Sequence, residues 1–241
     1  MQEKLEMMNS GAPGALEALG IAPERQVQVV FFDNDGTLVD TFNAILSSMH
    51  FALKEVLGHD LSDEEISSKV GIPLVEQMRL FADDESQVDT LVTVYREHNE
   101  CDLVDNISDF PGLLDALEQL KAAGYRMGVV TSKRRHVALA GLEHFGMAPF
   151  FEVVNGVEAS TAHKPEPEPL LNAAAAISVE PEHCVYVGDS PFDLKAAHAA
   201  GMKSVAVTWG KFFDGITLAK EEPSAIVNDP AQLVDAIKLL G

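Results

Sequence analysis

Apolar residues along this 241-residue chain gather in short β-branched runs separated by longer stretches of helical spacing. The runs at 27–32, 125–130 ("YRMGVV"), 151–154 ("FEVV"), 184–188 ("CVYVG") and 204–208 ("SVAVT") predict strands. They are dense in apolar residues without clean alternation, which suits strands covered on both faces. Between them, "PGLLDALEQLKAAG" (111–124) opens on Pro and stops on Gly, the usual punctuation of a helix. "RRHVALAGLEHFG" (134–146) and "PEPLLNAAAAI" (167–177) repeat the form. "DSPFDLKAAHAAG" (189–201) opens on acidic and hydroxyl residues and carries Pro191 near its first turn. Strand alternating with helix predicts right-handed crossovers. The expected class is α/β, an open parallel Rossmann-like sheet with helices on both faces.

Residues 42–108 break the rhythm. "FNAILSSMHFALKEVLG", "LVEQMRLFA" and "ESQVDTLVTVYREHNE" have helical spacing, and no stretch among them reads as a strand. The expectation is a small all-helical cap, 42–108, inserted after the first core strand. It leaves a core made of 27–41 and 109–241, with "DFPG" (109–112) marking the return. Residues 1–26, with Gly, Pro and scattered charge, read as an N-terminal extension.

Ligands of open α/β sheets bind beyond the carboxyl ends of the strands. Four polar clusters fall there. Asp33 and Asp35 follow the first strand in "FFDNDGT". Thr131 and Ser132 follow the second in "VVTSK". Lys164 comes after the third, in "HKPEPEPL", and Asp189, Ser190 and Asp193 come after the fourth, in "VGDSPFD". Each string alone is a turn or a helix start; their order and strand context together predict one site. A calcium loop would need an acidic or amide residue at 37 and Gly at 38. The chain has Thr37 and Leu38 there.

With these motifs the sequence resembles the haloacid dehalogenase superfamily of phosphotransferases over roughly 28–230. "DNDGT" fits that family's D-x-D-x-T motif, "VVTS" its Thr/Ser motif, "HKPEPEPL" its lysine motif and "VGDSPFD" its acidic motif. "SKVGIPL", "TVYREHNE" and "AVTWG" resemble the branch with a small helical cap that includes phosphoglycolate phosphatases and a bacterial inorganic pyrophosphatase. The resemblance implies a Mg²⁺-dependent phosphatase of small phosphorylated metabolites, phosphoglycolate before pyrophosphate. A sugar-phosphate mutase on the same core is the alternative enzyme. A phospho-accepting receiver-type module is the non-enzymatic alternative, disfavoured by the helical insert and the D-x-D spacing.

The residue chemistry agrees. Side chains at i and i+2 of an extended segment share a side, so Asp33 and Asp35 can address one ligand. Two neighbouring carboxylates need a counter-ion, and Mg²⁺ takes oxygen ligands. Asp33 and Asp189 would bind it through carboxylates and Asp35 through its backbone carbonyl. Asp33 would then attack phosphorus, and the family implies that Asp35 protonates the leaving group and activates water. Thr131 and Ser132 would hold phosphoryl oxygens. Lys164 would offset their charge, and Asp193 would orient Lys164 from behind. Asn34 is expected to point away from the site. Lys133 is expected to reach the leaving group. Arg134, Arg135 and His136 read as a solvated first helical turn, and His163 as a surface neighbour.

The formal net charge of -21 argues against nucleic acid and anionic membrane as partners. It leaves room for a small anionic substrate, because a metal and a few lysines reverse the sign locally. Cys101 and Cys184 form no C-x-x-C pair and read as packed free thiols. With no apolar signal core at the N-terminus and no spanning run, the expectation is a cytoplasmic protein, monomer or homodimer.

Overall fold

The computed structural model describes residues 26–101 and 105–241, so the extension expected over 1–26 lies outside it apart from Gln26. The described strands are β1 (Val29–Phe32), β2 (Val39–Asp40), β3 (Ser108–Asp109), β4 (Arg126–Val130), β5 (Val153–Asn155), β6 (Cys184–Gly188), β7 (Lys203–Val207) and β8 (Ala225–Val227). Six form one parallel sheet in the order β5-β4-β1-β6-β7-β8. The expected class is therefore the observed one.

The dense apolar runs are explained by burial on both faces. Val30 and Phe32 of β1 enter one core layer with Leu113, Leu117 and Leu120 of the helix Leu113–Ala122. Val29 and Phe31 enter the opposite layer with Leu170, Ala173 and Ala196. Each such side chain contributes about 1.5–3 kcal/mol when fully buried. The alternation is present in direction while absent in polarity.

One expected strand shifts and one strand goes unread, each for an identifiable reason. Phe151 was expected in the third strand. It instead follows a 3₁₀ turn at Ala148–Phe150 and sets its ring edge on Phe32, 6.0 Å between centroids. β8, three residues at the sheet edge with Ile226 exposed, carries too little apolar signal to be read from sequence. Cys101, expected to be packed, is exposed; Cys184 is buried.

After β1 the chain turns sharply. Leu38 and Val39 donate to the Asn34 carbonyl and Gly36 donates to the Val39 carbonyl, a turn that needs the positive φ of Gly36 (75°). β2 then pairs antiparallel with β3, holding the outgoing and returning chains side by side. Between them lie the helices Phe42–Leu57, Asp63–Ser67, Leu74–Phe81 and Val88–Cys101. They enclose their own apolar cluster around Met49, Leu53, Met78 and Leu91. Ser62 and Glu65 form a capping box at the start of Asp63–Ser67, and Gly58 ends Phe42–Leu57 with φ 70°. Among the described residues, no helix is long and apolar enough to cross a membrane.

Candidate active site

The residues just past three neighbouring strands stay fixed by the sheet. The Asp33 N–H donates to the Val187 carbonyl at 2.9 Å, and the Thr131 N–H to the Asn155 carbonyl at 2.9 Å. Asp189 follows Gly188, which is in register with Ala206. The roots of Asp33, Thr131 and Asp189 therefore line one end of the sheet. A rigid scaffold of this kind holds a constellation more closely than loops do.

Lys164 arrives from the loop beyond β5 and is almost fully buried. Its ammonium donates to Asp193 Oδ1 at 2.6 Å and to the Tyr186 hydroxyl at 3.1 Å, and lies 3.1 Å from Asp33 Oδ1. Burial alone would lower its pKa. The charges of Asp193 and Asp33 outweigh that and hold it well above the usual lysine range. Asp193 has a second task. Its Oδ2 accepts from the Ser190 backbone at 3.0 Å and hydroxyl at 2.5 Å, closing a capping box on the helix Pro191–Ala199. The D-S-P-F-D string thus builds the helix start and the lysine's anchor together. Tyr186, whose hydroxyl donates to the Val130 carbonyl at 2.6 Å, completes this anchor. Sequence reading missed it because an inward tyrosine in an apolar strand looks like core.

Asp33 and Asp189 face each other in a crowded, anionic corner. Burial pushes the Asp33 carboxyl up to about 7; Lys164 pulls it down, while Asp193 and Asp35 push it up. Burial, then the charges of Asp193 and Asp33, hold Asp189 well above the usual carboxylate range. Asp189 is closely cradled. A Cβ at Gly36 would sit 2.1 Å from its Oδ2, and one at Gly210 2.2 Å. Thr37 Oγ1 donates to Asp189 Oδ1 at 3.4 Å, and the Thr37 carbonyl is held by Trp209 Nε1 at 3.0 Å.

A divalent cation fits this corner. Asp33 Oδ1 is buried without a directed hydrogen bond, although the Lys164 ammonium is close. Oxygens of Asp33, Asp189 and Asp193 lie within 4.8 Å of one another. The Asp193 oxygens are already engaged by Lys164 and by the Ser190 cap, so Asp33 and Asp189 are the carboxylates left to bind a metal. Hard oxygen donors with raised proton affinity suit Mg²⁺.

A stability experiment follows from the sign of these shifts. A carboxyl whose folded pKa is raised binds more protons in the folded state between its ordinary 3.8 and about 7. Stability from that group is thus present at low pH and lost as pH rises through this window. In chelator the melting temperature should fall accordingly. Added Mg²⁺, competing with those protons, should raise it more at about pH 8 than at about pH 5. An equal gain at both would place the cation elsewhere.

The other predicted residues fall around one cavity of about 430 Å³. Asp33, Asp35, Thr131, Ser132 and Asp189 line its core side; Ile72, Leu74, Tyr95 and Arg96 line the helical side. Ser132 Oγ reaches across to the Gly71 carbonyl at 3.4 Å. Lys133, expected to reach the leaving group, donates to Asp35 Oδ1 at 2.7 Å on the cavity wall. Asn34, expected to point away, donates from Nδ2 to Asp35 Oδ1 at 3.3 Å. Arg134, expected to be a solvated helix start, instead lines the cavity and pairs with Glu100 of the helix Val88–Cys101. His163, expected at the surface, is half-buried at the cavity edge. Asp40, the third carboxylate after β1, stays outside the site. Its Oδ1 accepts from the Phe42 N–H at 3.3 Å and its Oδ2 pairs with Lys211 at 2.7 Å.

Comparison with known proteins places the chain among relatives of one family. The profile of haloacid dehalogenase-like hydrolases matches residues 30–207. A pyrophosphatase PpaX from Oceanobacillus iheyensis is 33% identical over 215 residues, 89% of this chain and 97% of that protein. A Caldanaerobacter subterraneus relative, provisionally given the same name, is 36% identical over 216 residues, 88% of this chain and 96% of that one. A solved structure from Haemophilus somnus, described as a predicted phosphoglycolate phosphatase, superposes with a TM-score of 0.80 at 26% identity. It covers 88% of this chain and 99% of its own.

Proposed function

We propose, because the chain belongs to the haloacid dehalogenase-like hydrolase family, that it is a Mg²⁺-dependent phosphatase of a small phosphorylated metabolite with Asp33 as nucleophile. The observation that carries this reading is the Asp33 carboxylate itself. It is buried at the floor of the cavity, 3.1 Å from the Lys164 ammonium, with an oxygen free of directed hydrogen bonds.

The steps follow from the residues. An Asp33 oxygen attacks phosphorus, forming an aspartyl-phosphate as the bond from phosphorus to the leaving oxygen breaks. Asp35, two residues on and in the same cavity, supplies a proton to the leaving oxygen and later takes one from the attacking water. The Thr131 hydroxyl and the Ser132 N–H hold phosphoryl oxygens. Lys164, fixed by Asp193, offsets the charge that shifts onto the transferring group. Asp33, Asp189 and the Asp35 carbonyl would hold Mg²⁺, which would supply positive charge to the reacting phosphoryl group. The helical segment 42–108 acts as a cap over this reaction, enclosing small substrates and excluding large ones.

For the substrate, the names of the relatives at higher identity support putting pyrophosphate before the phosphoglycolate expected first from the sequence. The PpaX proteins at 33–36% identity favour inorganic pyrophosphate, ahead of phosphoglycolate, the assignment of the 26%-identical structure. A cavity of about 430 Å³ lies in the usual range for small-molecule sites, roughly 300–1,000 Å³. Phosphate release from a panel of small phosphate esters and pyrophosphate, in Mg²⁺, tests the reading. Pyrophosphate or phosphoglycolate should give the highest kcat/KM, with little release from phosphopeptides. Failure to release phosphate from pyrophosphate and from every ester, an activated aryl phosphate included, would end the phosphatase reading.

A further inference from the structure

The helix Val88–Cys101 turns Tyr95, Arg96, Asn99 and Glu100 into the cavity, the i, i+1, i+4, i+5 spacing of one helical face. Across from it, Arg134 stands at the N-cap of the helix Arg135–His144, three residues after Thr131. Most cations lining the cavity are already paired. Lys133 is bonded to Asp35, Arg79 to Glu85 and Arg134 to Glu100. Arg96 is half-buried, and among the described residues no carboxylate lies within 4.0 Å of it.

A half-buried guanidinium without a partner is costly, and more so beside a second one. Arg134 feels that neighbour. Its pKa lies below the usual arginine range, first through burial and then through the charge of Arg96. The chain has 38 acidic and 17 basic side chains, so a carboxylate to neutralise Arg96 is not scarce. Two guanidiniums facing one cavity, one of them unpaired, make a receptor for a planar or tetrahedral anion, which arginine binds in a bidentate manner.

We infer that Arg96 and Arg134 form a second anion subsite, which binds a charged group carried by the leaving half of the substrate. This rests on the phosphatase reading and narrows it. The favoured leaving groups carry a phosphate or carboxylate of their own, as in pyrophosphate or a phosphorylated hydroxy acid. Neutral alcohols and sugars are disfavoured. Glu100 is the built-in competitor. It occupies Arg134 when no anion is bound, and its charge opposes an incoming anion.

The test uses the full chain in Mg²⁺. kcat/KM is measured for pyrophosphate and phosphoglycolate, and for p-nitrophenyl phosphate, whose leaving group has no anionic substituent. The quantity read is the ratio of the first two to the third. Arg96→Gln should lower that ratio roughly 10- to 100-fold, mainly through KM, the scale of a lost charge-assisted hydrogen bond. Arg96→Lys should recover part of it. Glu100→Gln should move the ratio the other way, upward by several-fold, an outcome that misfolding cannot mimic. A ratio within about threefold of wild type in Arg96→Gln, or a fall in Glu100→Gln, overturns the subsite. Aryl phosphate hydrolysis by the wild type with an unchanged ratio in the variants sinks the subsite alone. A wild type that hydrolyses neither pyrophosphate nor any ester sinks the phosphatase reading and the subsite together.

Discussion

Asp33→Asn should fold, and its kcat should fall by roughly 10⁴-fold or more, the scale seen when a covalent nucleophile is removed. The amide has the shape of the carboxylate but no lone pair able to make an acyl phosphate. Folding should survive because the site already disfavours the charge, with burial pushing the Asp33 carboxyl up to about 7. In chelator at neutral pH and above, the variant should melt at or above the wild-type temperature. With Mg²⁺ it should lose most of the stabilisation that the wild type gains. The pairing of lost rate with retained stability separates a chemical role from a structural one. Steady-state rates within tenfold of wild type would remove Asp33 as nucleophile.

Lys164→Met should be damaging in both respects. The ammonium is buried between Asp193 Oδ1 at 2.6 Å and Asp33 Oδ1 at 3.1 Å. Removing it leaves Asp193, Asp33 and Asp189 facing one another without a cation. Breaking a buried pair in this way costs about 3–5 kcal/mol, since the remaining charge stays uncompensated. Turnover should also fall by about 10²–10³-fold, as when a preorganised electrostatic partner is removed from a reacting centre. The double variant Lys164→Met/Asp193→Asn should regain part of the stability and none of the rate. Denaturant unfolding beside kcat for the two variants checks this. Recovery of rate in the double variant would show that Lys164 serves only to neutralise Asp193.

The sequence made the sheet and the chemistry-bearing strand ends legible for one reason. β1, β4 and β6 are buried on both faces, so their apolar density is high, and each is followed at once by a polar residue. Asp33, Thr131 and Asp189 were read from that transition, and the structure brings them to one end of the sheet with Lys164 and Asp193. Missing from that reading were the features set by distant packing. Gly210 is a glycine because the Asp189 carboxylate lies where its Cβ would be, and nothing within "AVTWG" announces that. Arg134 looked like a solvated helix start because its partner, Glu100, comes from a helix 34 positions earlier in the chain. Lys133 is tied to Asp35 across 98 positions. Short pairings such as β2 with β3 are likewise fixed by the chain's return and not by local propensity.

Chemical trapping of the intermediate tests the central claim most directly. Wild type and Asp35→Asn, mixed with p-nitrophenyl phosphate, whose leaving group needs no proton, and Mg²⁺, are quenched in acid during turnover and reduced with borohydride, which converts an acyl phosphate to an alcohol. Peptide mapping then reads the side chain at position 33. The account predicts reduction at Asp33, greater in Asp35→Asn, where release of the phosphoryl group is slowed. Reduction absent from Asp33 in both proteins while phosphate is being released, or a phosphoryl group found on another side chain, would contradict it.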